Sequence, residues 1–167
     1  MAFDPKEATE AYINSLGEDA LVQAAAYTSG NHWLILWGLL VSGLVAYLIV
    51  RSGLLVRISN SMAQRSFFTR CFSLCTAFIV VSSIVELPWS LYANWWRETQ
   101  YGRTSQPLSD YLGQSGIALA TNAILMGLFL TGVYALIRRM GKLWWLWSGG
   151  LTASFFAALL LLGPIFI

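Results

Sequence analysis

Apolar residues along most of this chain do not recur at a helical or strand period; they run on with little interruption. A membrane-crossing helix needs roughly 20 such residues to cover about 30 Å of hydrocarbon. Four stretches meet that requirement, at about 31–50, 71–96, 111–137 and 143–167. The one carboxylate, lysine or arginine inside any of them is Glu86. The pattern predicts an all-α integral membrane protein with four transmembrane helices and a short helical N-terminal arm.

The arm occupies residues 1–30 and the transmembrane domain 31–167. Asp4-Pro5-Lys6-Glu7 reads as a helix start, with Asp4 as the cap, Pro5 in the first helical position and Glu7 three residues after the cap. This helix is expected to reach about Leu16, where Gly17 fits a C-terminal stop. A second helical piece over 19–27 then leads to the membrane. Glycine and other small residues let helices approach closely in lipid, which marks Gly38, Ser42 and Ala46 on the first span and Gly149, Ala153 and Ala157 on the fourth as expected packing seams.

Composition agrees with a bilayer. The sequence is 57% hydrophobic and 11% charged, against about 25% charged in an ordinary soluble domain. Its eight Trp residues fall near span ends, where aromatic side chains settle between hydrocarbon and headgroups. A net charge of +2 with no basic stripe interleaved with aromatics excludes a nucleic-acid partner. The start of the chain lacks the basic and apolar regions of a signal peptide, so the first span is expected to target and remain.

Basic residues collect in cytoplasmic loops. Arg51, Arg57, Arg65 and Arg70 fall between the first two spans, and Arg138, Arg139 and Lys142 between the last two. The other side sets Lys6 against Asp4, Glu7, Glu10, Glu18 and Asp19, and balances Arg97 and Arg103 against Glu98 and Asp110. A multi-pass protein of a cell inner membrane is therefore expected, with both termini on the periplasmic or luminal side.

Glu86 carries the strongest single chemical signal, because a carboxylate at membrane depth costs a few kcal/mol (about 2–4) unless paired, hydrated or protonated. Pro88 removes its own N–H and crowds the carbonyl of Ile84, so a kink or local unwinding is expected beside it. The pair reads either as the lining of a wet cavity or as a hydrogen-bonded link between helices. His32, the single histidine, sits beside Trp33 at a span edge and reads as an interface anchor. Cys71 and Cys75, one turn apart on a helix, read as small apolar residues. No zinc site can be assembled from these residues alone, and no nucleophile elbow or phosphate loop occurs.

Two motifs, Leu87-Pro88-Trp89-Ser90 and Arg97-Glu98-Thr99-Gln100-Tyr101-Gly102, give the chain a resemblance to the N-terminal membrane region of the integral-membrane CAAX prenyl proteases, a zinc metallopeptidase family. Its bacterial members show a Leu-Pro-Trp late in the second span, followed by an Arg-Glu-His-Gln-Tyr-Gly-Leu-Ser-Asn-Gln-like loop. Here Thr99 stands for the His, Arg103 for the Leu and Ser105 for the Asn, while Gln106 matches. Ala11-Tyr12, Ala26-Tyr27, the Trp33 to Trp37 pattern and residues 163–167 extend the resemblance over essentially the whole chain.

The resemblance implies an α-helical barrel around an intramembrane chamber, and cleavage of the C-terminal tripeptide of prenylated proteins. It places zinc only in a catalytic part with a His-Glu-x-x-His motif, which does not occur in these 167 residues, so no catalytic residue and no cofactor is assigned here. The expected partners are the lipid bilayer, a catalytic metallopeptidase domain in cis or in trans, and prenylated or membrane-protein clients. Two other readings stay open: a stand-alone noncatalytic scaffold or client-binding protein, and a small transporter or channel subunit using Glu86. The role of the 97–106 loop stays open between turn capping and function.

Overall fold

In the computed structural model, residues 4–166 are described, with side chains as far as Leu161. The resemblance at residues 163–167 therefore lies outside the described side chains. The architecture is helical throughout these residues: α1 (Pro5–Ser15), α2 (Glu18–Arg51), α3 (Leu54–Ser61), α4 (Phe67–Leu91), α5 (Arg97–Gln100), α6 (Leu108–Arg139) and α7 (Trp144–Phe166). A π-helical segment, Tyr92–Trp96, joins α4 to α5, and a 3-10 turn, Gly141–Leu143, precedes α7. Among the described residues, four helical stretches are long and apolar enough to cross a membrane.

Local chemistry sets the helix ends. Asp4 Oδ1 accepts from the Lys6 N–H at 2.8 Å and Pro5 opens α1. Gly17, at φ 83°, then turns the chain into α2 with a backbone that a side-chain-bearing residue rarely adopts. From there α2 runs unbroken for 34 residues, so the expected piece at 19–27 and the first span are one helix. Nothing at Thr28-Ser29-Gly30 stops it: the Thr28 hydroxyl donates back to the Ala24 carbonyl at 2.9 Å, and a lone interior glycine weakens a helix without ending it. At 1.5 Å per residue α2 is roughly 51 Å long, well beyond the ~30 Å of hydrocarbon.

The basic connection at 51–70 is not all loop, since it holds α3. Gly53 at φ 68° breaks α2 from α3, and the Ser52 hydroxyl accepts from the Leu54 N–H at 3.2 Å. Leu54, Leu55 and Ile58 form one half-buried face of α3, with Val56 and Arg57 exposed.

The four spans pack in sequence order, with α4 between α2 and α6 and α7 against α6. The tightest seam was not anticipated. Ala123, Gly127 and Thr131 of α6 are buried at four-residue spacing, and a Cβ on Gly127 would stand 2.5 Å from Thr76 Oγ1 and 3.0 Å from the Phe72 ring. Thr131 is fully buried and its hydroxyl donates to the Gly127 carbonyl at 2.6 Å.

The expected small-residue seams need correction. On α2 Gly38 and Ala46 are half-buried as expected, on a face that also holds Asn31, Leu34, Val41, Val45 and Ile49, while Ser42 is exposed. On α7 the inward residues are Ser148, Leu151, Thr152 and Phe155, with Phe155 stacked on Phe129 at 4.6 Å. Gly149, Ala153 and Ala157 face outward. Large side chains decide these two faces by dispersion contact, which outweighs the close approach that small residues merely permit.

Candidate functional site

One end of the bundle, which carries every acidic residue but Glu86, is organised around a buried guanidinium. Arg97 is 6% exposed. Its Nη1 donates to Asn31 Oδ1 and its Nη2 to the Tyr27 carbonyl at 2.7 Å. The guanidinium carbon lies 4.5 Å from the Tyr27 ring centre and 5.1 Å from that of Tyr101. A buried arginine is tolerable only when its donors are met and its charge is balanced. Glu98 supplies the balance: it accepts from the Tyr27 hydroxyl at 2.7 Å, pairs with Arg103 at 3.5 Å, and lies 4.0 Å from Arg97.

Backbone register is what turns Arg97 inward. On a regular helix continuing α4, seven residues from Trp89 come back to nearly the same face, so Trp96 would face α2 alongside Trp89. The π segment inserts one extra residue into the turn, with the Arg97 N–H reaching back to the Tyr92 carbonyl. Arg97 thus takes the angular place of Trp96, which is 47% exposed. The irregular backbone begins one turn beyond Pro88, which itself lies inside α4.

The loop that follows is closed by its own hydrogen bonds. Gly102, at φ 65°, donates its N–H to the Thr99 carbonyl, and the Arg103 N–H reaches the Glu98 carbonyl at 2.9 Å. Trp95 Nε1 donates to the Gln106 carbonyl at 2.9 Å, pinning the loop to the π segment. Across from it, Gly30 leaves the space Arg97 needs: a Cβ there would meet Nη2 at 2.5 Å.

Of the residues singled out from sequence, Arg97, Glu98, Tyr101, Gly102 and Gln106 come together here. Gln100 is exposed and outside the cluster. Glu86 and Pro88 belong to a different place; Glu86 lies about 16 Å further along α4 at 1.5 Å per residue. Glu86 is half-buried one turn before Trp89, whose indole stands 3.6 Å from the Cβ position of Gly38. The ion pairs among the described residues are made by Glu98 and not by Glu86.

Sequence reasoning missed Asn31, Gly30, Trp95 and the role of Arg103. A glycine inside a long helical run, directly before an amide, was the available signal of close approach.

The arrangement can brace two helices and hold a loop; it offers no nucleophile or general base poised for attack. Among the described residues no three His, Cys, Asp or Glu side chains gather closely enough to hold a metal ion. His32 is exposed, and Cys71 and Cys75 lie toward the opposite end of α4. The residues described do not fit a zinc centre.

The model of a family described as CAAX prenyl protease N-terminal, five membrane helices, matches residues 5–167. The described residues hold four helices of spanning length; α1 and α3, of 11 and 8 residues, are too short to cross. No curated protein and no solved structure matches the chain.

Proposed function

The chain belongs to the family of CAAX prenyl protease N-terminal membrane domains, and from that premise we propose that it is a noncatalytic membrane module forming part of an intramembrane chamber. The chamber receives prenylated or membrane-inserted proteins, and a zinc metallopeptidase part, in cis or in trans, supplies the hydrolysis. The observation that carries this reading is the family match along residues 5–167. The Arg97 cluster supports it, because a wall of few helices in lipid needs a polar lock to keep its spacing, and interhelical hydrogen bonds provide one.

The basic end of the bundle lies in the cytoplasm and both termini lie on the periplasmic or luminal side, as the distribution of arginine and lysine favours. Single cysteines in a background lacking Cys71 and Cys75 test this. Labelling at Ser105 from outside and at Ser61 from inside is expected; the reverse pattern overturns it.

Client binding is tested with a farnesylated peptide carrying a photoreactive group, cross-linked to the chain in native membranes. Cross-links competed by unlabelled prenylated peptide, but not by the unprenylated sequence, are expected. Equal competition by both would remove the prenylated-client part of the reading.

A further inference from the structure

At the basic end a cavity of about 530 Å³ opens between α3, the start of α4 and the end of α6. Phe67, Leu74, Phe78 and Leu130 form its apolar wall, and Arg70 lines it as a half-buried residue. From Arg70 to Phe78 the cavity follows α4 for roughly 12 Å at 1.5 Å per residue, most of the ~15 Å depth of one hydrocarbon leaflet.

The electrostatics of this end are one-sided. No Asp or Glu lies between Asp19 and Glu86 or after Asp110, and both ion pairs among the described residues use Glu98 at the far end. Arg70 therefore meets no carboxylate near it. Arg138 stacks over Phe67 at 4.9 Å and adds a second positive charge at the cavity wall. An apolar groove open to the bilayer fills with acyl chain rather than water, and basic residues beside such a groove attract anionic headgroups.

We propose that this cavity holds one anionic phospholipid, with an acyl chain along Leu74 and Phe78 and the phosphate against Arg70. The occupant follows from the joined shape and charge: a zwitterionic lipid brings a further positive charge to an end that already holds Arg70 and Arg138, and a free anion leaves the apolar depth empty. The site stands apart from the Arg97 cluster, which lies at the far end of α4.

Native mass spectrometry of the full chain, released from nanodiscs containing equal phosphatidylglycerol and phosphatidylcholine, tests it. The parent is expected to retain one phosphatidylglycerol preferentially. Arg70→Gln is expected to lower that retention roughly fivefold, the factor that one basic residue contributes at a membrane surface. Arg139→Gln removes the same charge from the same end, away from the cavity, and is expected to leave retention unchanged. Leu74→Trp, which fills the cavity, is expected to displace the lipid with Arg70 intact. Equal retention of the two lipids, or equal loss in Arg70→Gln and Arg139→Gln, overturns the proposal; either result stands even if Leu74→Trp fails to fold.

Discussion

Replacing Arg97 by alanine removes the one buried charge of the described residues and strands what it bonds. Asn31 Oδ1 and the Tyr27 carbonyl lose their donors, and Tyr27 and Tyr101 lose a cation. Two charge-assisted hydrogen bonds contribute about 1.5–3 kcal/mol each and a desolvated cation–π contact up to about 2. The hydrogen-bond values are net of desolvation, and removing one partner of a buried charged pair costs about 3–5 kcal/mol in general. The net loss is expected to be about 3 kcal/mol. Reversible unfolding in mixed micelles, followed by the reactivity of Cys71 and Cys75, measures it. Gly30 sharpens the test. Gly30→Ala drives a Cβ to within 2.5 Å of Nη2 and is expected to cost about 2 kcal/mol in the parent. In an Arg97→Ala background the clash disappears and the same change is expected to be neutral or slightly stabilising, by up to ~1 kcal/mol of helix propensity. Additive losses in the double variant, or a loss below about 1 kcal/mol for Arg97→Ala, would refute the reasoning.

Deleting Asn94 is expected to turn the π segment into regular helix while keeping Arg97 against α2, whereas inserting an alanine at the same point rotates Arg97 away; the two melts should differ clearly, the insertion being the lower. Arg97→Lys should recover only part of the alanine loss, since one ammonium cannot match the fork that spans Asn31 and Tyr27. Gly127→Val is expected to cost 2 kcal/mol or more, roughly, by overpacking against Thr76 and Phe72, read as a lowered unfolding midpoint. Glu86→Gln should keep the fold, and Glu86→Leu separates the two readings of that residue. A lowered melt fits a link between helices, and an unchanged melt with altered peptide cross-linking fits a wet cavity; no change in either measurement removes both.

The spans were legible because the bilayer imposes a length and a composition that few other environments demand, and the arm's start was legible because Asp4-Pro5 is a local capping signal. Helix faces were less so. Spacing marked Gly149, Ala153 and Ala157, yet α7 turns Leu151 and Phe155 inward, since which small-residue stripe is used depends on the neighbour's shape. The same limit hid Gly127, whose importance comes from Phe72 across the seam. For the site, the 97–102 motif drew attention by resemblance, but its role was illegible. Arg97 faces α2 only because a one-residue bulge shifts the register, and its partners Tyr27 and Asn31 lie about 70 and 66 positions away in sequence. Pattern along one helix cannot report either fact.

If the chain forms part of a membrane metallopeptidase, as proposed, hydrolysis of a prenylated substrate needs both this chain and a zinc-bearing part. The most direct test is cleavage of a prenylated CAAX peptide by the purified chain in proteoliposomes, alone and with a zinc-loaded catalytic part of the family, joined in frame or added as a separate polypeptide. Chelator-sensitive cleavage that needs both components, and that falls when Arg97 is replaced by alanine, is the predicted result. Stoichiometric zinc and chelator-sensitive cleavage by the chain alone, or cleavage by the catalytic part that is indifferent to the chain, would contradict it.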